Sequence, residues 1–102
     1  MMAEYNIVGY ETLTVADSAI SLTGATTGQS FVGRLETAQI RARGDGTDPT
    51  SSEGVLINPG DAIVMSESEI RNTAFIRTGS SSGVLKGHFY SAHATAFSGG
   101  GV

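Results

Sequence analysis

From Tyr10 to Val15 the chain alternates, with Leu13 and Val15 on one side and Thr12 and Thr14 on the other; Ile20 and Leu22 resume the pattern. A period of two marks a strand with one face covered and one wet. Phe31 to Arg43 is the longest such stretch, with Ala38, Ile40 and Ala42 opposed to Thr37, Gln39, Arg41 and Arg43. Leu35, Ala38 and Ala42 also fit helical spacing, but the β-branched residues and the following Arg-Gly-Asp-Gly turn favour a strand. Val55-Leu56-Ile57 reads as a short strand. Ala62 to Met65, nearly all apolar, reads as a strand covered on both faces. Ile70 to Arg77 sets Ala74 and Ile76 against Phe75 and Arg77, and Val84 to Ser91 sets Leu85 and Phe89 against Lys86, His88 and Tyr90.

The punctuation between these runs is turn chemistry. Asn58-Pro59-Gly60-Asp61 places Pro where φ is preset and Gly where a type II turn requires positive φ. Gly44 to Gly54 is long for a hairpin connection and is therefore a candidate contact element. Asp17-Ser18, the polar stretch Gly24 to Gly28, the corner at Glu67-Ser68-Glu69 and the tip at Gly79 to Gly83 complete the set. About eight short strands, no credible helix and no internal repeat predict an all-β domain. Its expected form is a small β-sandwich, jelly-roll-like, or a β-barrel. Residues 1–9 read as an N-terminal arm, pairing as an edge strand or draped over a neighbour, residues 10–93 as the β domain, and residues 94–102 as a flexible Gly-rich tail.

At 102 residues one domain is expected. The net charge of −4, with Arg34, Arg41 and Arg43 interspersed among neutral or acidic neighbours, argues against nucleic acid, which demands clustered cations. There is no cysteine, hence neither a disulfide framework nor a thiolate metal site. No apolar run reaches the length needed to span a bilayer, and Met1 to Asn6 lacks the features of a secretory signal, so a soluble protein is expected.

Little in the chain points to catalysis. Asp45 and Asp48, with Glu53 nearby, offer carboxylates to Ca²⁺, but the spacing departs from the EF-hand loop, and Asp in such a loop more readily folds onto its own backbone. Arg43-Gly44-Asp45 spells an integrin-recognition tripeptide where a turn is needed anyway. His88 and His93, separated by an odd number of positions, point to opposite faces of a continuous strand. Glu67 and Glu69 read as a solvated corner, and the Gly99–Gly101 run lacks the strand and helix that a phosphate loop requires. No catalytic, cofactor-binding or metal-binding residue is expected, and no enzyme.

The segment from Ala38 to Arg77 resembles a group of small phage virion proteins. The likeness is carried by Arg41, Arg43, Asp45-Gly46-Thr47, Pro49-Thr50, Gly54, Leu56, Pro59-Gly60 and Phe75-Ile76-Arg77. Ala42 stands where those proteins place an aromatic residue, Gly44 stands where they place an acidic one, and His88-Phe89-Tyr90 loosely echoes their closing Tyr-Tyr. The resemblance implies a structural protein of the virion, assembled in the host cytoplasm. A capsid decoration (cement) protein that binds the major capsid protein lattice and forms a homo-oligomer is the leading form, and a tail or head–tail adaptor component is the alternative. Expected partner contacts are Glu4, Tyr5, Ile7 and Val8 on the arm, with Arg41, Arg43, Asp45, Asp48 and Arg77 on the domain. Neither membrane nor nucleic acid is an expected partner. A carbohydrate-binding β-sandwich is the alternative of another class. It is disfavoured by the absence of Trp and by the dispersal of Tyr5, Tyr10 and Tyr90 along the sequence.

Overall fold

The computed structural model describes residues 6–24 and 29–91. Seven strands and one short helix follow in the order β1 (Ile7–Val15), β2 (Gln29–Glu36), β3 (Ile40–Arg43), β4 (Val55–Ile57), β5 (Ala62–Met65), α1 (Glu67–Asn72), β6 (Ala74–Arg77) and β7 (Gly83–Ser91). The strands form two antiparallel sheets, a larger one of order β1-β7-β2-β5 and a smaller one of order β4-β3-β6. Among the described residues no pairing closes either sheet into a barrel. The all-β sandwich expectation holds.

Three long ribbons run through both sheets, each bent at a corner. β1 pairs with β7, and the chain beyond it bonds β6 instead, through Arg77 N–H to the Ala16 carbonyl (2.9 Å) and a reciprocal Ile20–Phe75 pair (2.9 and 2.7 Å). β2 likewise pairs with β7, and its continuation β3 pairs with β6. β6 and β7 form the third ribbon, bent over residues 78–82. Strands that change sheets at corners give a sandwich whose layers are covalently continuous.

The expected single strand from Phe31 to Arg43 is therefore two strands, broken at Thr37. Thr37 has φ of 75°, and the Ala38 N–H donates to the Glu36 carbonyl at 3.0 Å, closing a tight γ-turn of the strained, positive-φ kind. Its hydroxyl also lies 2.8 Å from the Ser82 carbonyl, and the Thr78 hydroxyl lies 3.0 Å from Gln39 Oε1, so two corners are tied to each other. A β-branched residue gives no warning of such a conformation, since positive φ is expected of Gly, Asn or Asp.

One core lies between the sheets. Leu13, Val15, Phe31, Leu35, Met65, Leu85 and Phe89 face it from the larger sheet, and Ile40, Ala42 and Phe75 from the smaller. Leu22 and Ile70 join it from outside the sheets. Phe31, Phe75 and Phe89 are at most 1% exposed, and each contributes about 2–3 kcal/mol of transfer free energy. Gly33 and Gly87 are cross-strand partners on this inner face, and the Phe31 ring lies against both: a Cβ at Gly33 would stand 2.7 Å from Phe31 Cε2, and one at Gly87 2.5 Å from Cζ.

Two further expectations are corrected. Residues 67–72 form a helix, where a corner and the start of a strand were expected. Ser66 accepts from the Glu69 N–H and the Glu69 carboxylate accepts from the Ser66 N–H, a complete capping box, while Glu67 pairs with Arg71 one turn on and Ile70 enters the core. β5, expected to be covered on both faces, is an edge strand with Val64 70% exposed. The Asn58–Asp61 turn forms as read, with the Asp61 N–H 3.0 Å from the Asn58 carbonyl and Gly60 at φ of 94°.

Candidate interaction surface

β3 carries Arg41 and Arg43 two residues apart, hence on one face. Register places Arg41 opposite Ile76 and Arg77 opposite the buried Ile40, so Arg77 leaves the sheet on the other face. The structure therefore does not unite the three arginines. Arg41 is occupied within its own loop: Nε donates to the Ser51 carbonyl at 3.0 Å and Nη1 to the Gly54 carbonyl at 2.8 Å. Gly54 takes φ of 138°, which L side chains rarely adopt, and a Cβ there would crowd Arg41 Cβ at 3.2 Å and Pro49 Cβ at 3.3 Å. The paired Thr50 and Glu53 and the buried Pro49 complete this cover. Arg41 thus anchors the loop over residues 44–54.

Arg43 and Asp45 pair with each other, Nε lying 2.9 and 3.1 Å from the two carboxylate oxygens, and Asp45 also accepts the Thr47 N–H at 3.2 Å. The hydrogen bond from Arg43, then that from Thr47, hold the Asp45 carboxyl below its ordinary value, and the same pair raises Arg43. Asp45 is the backbone-bonded turn residue that loop chemistry predicts. Asp48 is exposed. Among the described residues no cluster of three or more His, Asp or Glu is placed to hold a metal ion. Arg77 lines a groove of about 430 Å³ with Asp17, Pro49, Thr50 and Ile76. Of the arm, Glu4 and Tyr5 lie outside the described residues, as do His93 and the Gly-rich tail. Ile7 and Val8 are exposed in the first positions of β1, an edge strand that starts earlier than the expected boundary at Tyr10. The Ser91 N–H bonds the Asn6 carbonyl at 2.9 Å and the Asn6 N–H reaches Ser91 Oγ at 3.3 Å, closing the outer end of the β1–β7 ribbon.

The most distinctive surface is one that the sequence reading left as ordinary wet polarity. On the outer face of the larger sheet, Tyr10 registers with His88, His88 with Val32, and Val32 with Val64. These four side chains make a row across all four strands, with Tyr10 57%, Val32 41% and Val64 70% exposed. One step along the strands the register slips between Ile7 and Gly9, leaving Ile7 opposite Tyr90 and Tyr90 opposite Ser30. The His88 ring centroid lies 5.4 Å from that of Tyr10 and 6.4 Å from that of Tyr90, both edge-on. Tyr10 and Tyr90, distant in sequence, thus converge on one histidine, which corrects their expected dispersal.

On the opposite flank of the row lie Thr12, Lys86, Arg34 and Ala62. Both cations there have partners: Lys86 Nζ is 3.4 Å from Glu36 Oε1, and Arg34 Nη1 donates to the Gly60 carbonyl at 2.8 Å. Only strand register brings this face together, and one sequence read alone does not disclose register. Compared with known protein families, curated proteins and solved structures, the chain matches none.

Proposed function

We propose that the chain is a non-enzymatic structural protein of a phage particle, a capsid decoration protein that binds the major capsid protein lattice and stabilises the head. The motif that carries the resemblance to small virion proteins supports this reading through what its residues do. Arg41, Arg43 and Asp45 fold the loop over residues 44–54 into a fixed shape and are not left poised over a cleft. The observation that carries the proposal is the exposed row Tyr10–His88–Val32–Val64, a partly apolar face suited to burial against another copy in a homo-oligomer seated on the lattice. A shell presents many equivalent sites, so modest contacts repeated over the lattice suffice to brace it. Arg77, beside Asp17 at the opposite sheet, is the arginine best placed for an acidic rim of the lattice.

Particles assembled without the protein test this. Heads that lose contents on heating or dilution while tails remain normal support decoration. Intact heads without tails favour the tail or adaptor reading. The convergence of Tyr10 and Tyr90 on His88 favours a second reading, a carbohydrate-binding module, because aromatic faces are the usual platform for sugars. Saturable oligosaccharide binding lost in Tyr10→Ala would establish that reading in place of the first.

A further inference from the structure

We infer that the outer face of the larger sheet is a self-association surface, on which two copies of this chain pair face to face about a two-fold axis lying along the Tyr10–His88–Val32–Val64 row. Pairing of this kind specifies the oligomer within the proposed function, yet it needs no particle and is measurable on the isolated chain.

Size is the first support. Strands of nine, nine, eight and four residues, at about 3.3 Å per residue and about 4.8 Å apart, give a face of roughly 475 Å². Two such faces bury about 950 Å² in total, the size of a weak, concentration-dependent pairing. The second support is that the face can be desolvated. Its central row holds no Asp, Glu, Lys or Arg, and the flanking cations Lys86 and Arg34 already have partners in Glu36 and the Gly60 carbonyl.

Charge then selects the axis. A two-fold along the row maps each strand onto the same strand of the second copy and exchanges the two flanks. Lys86 then lies over the second copy's Tyr90, Arg34 over its Ser30 and Thr12 over its Ile7. A cation over an aromatic face is favourable. A two-fold along the strands would instead stack Lys86 on Arg34, like charge on like. The row axis also places Val32 against Val32 and Val64 against Val64, and sheets packed in this manner stand about 10 Å apart.

Sedimentation of the full chain at tens of micromolar tests the idea, the expected species having twice the 10.5 kDa chain mass. Val64→Glu and Val32→Glu place like charges on the axis and are expected to weaken association about 100-fold or more. Val64 is 70% exposed, so its substitution leaves the fold intact even if Val32→Glu does not. Val55→Glu on the smaller sheet, equally exposed, is the control and leaves association unchanged. The chain has no cysteine, so Val32→Cys treated with a short bismaleimide should give a covalent dimer, and Val55→Cys should not. A wild-type monomer, or a dimer that survives both glutamate substitutions, overturns the inference. A monomer that nevertheless binds capsids would overturn it and leave decoration standing.

Discussion

Replacing Gly87 by alanine tests the packing logic at its tightest point. A Cβ at this position meets the Val32 carbonyl oxygen, and it stands 2.5 Å from Phe31 Cζ and 2.6 Å from the Gly33 α-carbon. Two of these neighbours are backbone of an adjacent strand and cannot swing aside, so the β2–β7 pair must part as well as the ring move. Phe31 is fully buried, and its ring lies 5.1 Å from that of Phe89. Overpacking costs about 1–3 kcal/mol, and disturbing the aromatic pair adds about 0.5–1.5 kcal/mol. The expected loss is about 2–4 kcal/mol, a large part of the roughly 5–15 kcal/mol that holds a small domain together. Urea titration and thermal melting followed by circular dichroism read it directly, with a drop in Tm of about 10–20 °C. The double variant Gly87→Ala with Phe31→Leu removes the ring contact, though not the backbone ones, and should cost at least about 1 kcal/mol less than the sum of the single changes. A Gly87→Ala protein melting within about 3 °C of the parent would refute the account of the inner face.

Arg41→Met removes both backbone contacts of its guanidinium while keeping the length of the stem. It should cost about 1–2 kcal/mol and speed amide exchange or proteolysis across residues 44–54, with β7 unaffected; Arg41→Lys, lacking the fork, should restore little. Ser66→Ala breaks the capping box of α1 and should lower stability by about 1 kcal/mol in a melt. Asp45 is held below its ordinary value when folded, so its contribution to stability is present above the unfolded value and fades as pH falls through the folded one. A carbon-detected NMR titration should place its midpoint below the usual aspartate range of about 4, and Arg43→Ala should move it back up. Because both side chains are exposed, added salt should shrink the difference.

Much of the sheet architecture is legible in the sequence because alternation and turn residues agree there. β4, the Asn58–Asp61 turn and β7 follow from local chemistry alone, and Leu13, Val15, Leu85 and Phe89 are inward as their spacing demands. The break at Thr37 is not legible, since a threonine at positive φ is held by partners at Ser82 that lie far along the chain. The helix was legible in principle: Ser66 and Glu69 have the capping-box spacing, but six residues are too few for a hydrophobic period to outweigh an acidic corner. Ala62 to Met65 misled because composition alone does not say which strand lies at an edge. The outer face of the larger sheet illustrates the same limit. Tyr10, Val32, Val64 and His88 belong to four strands, and only their mutual register turns four unremarkable positions into a row. Arg41 shows the converse, a charged residue that suggested an outward contact yet is tied to the carbonyls of its own loop.

The bonds between Asn6 and Ser91 carry a mechanical consequence. They lie at one end of the β1–β7 ribbon, so tension applied between those two residues opens the ladder one rung after another, like a zipper. Tension between Asn6 and Gly83, at the far end of β7, would instead load every rung of the same ladder at once. A tether attached at Asn6 would therefore yield gently or resist strongly according to where the opposing pull is anchored.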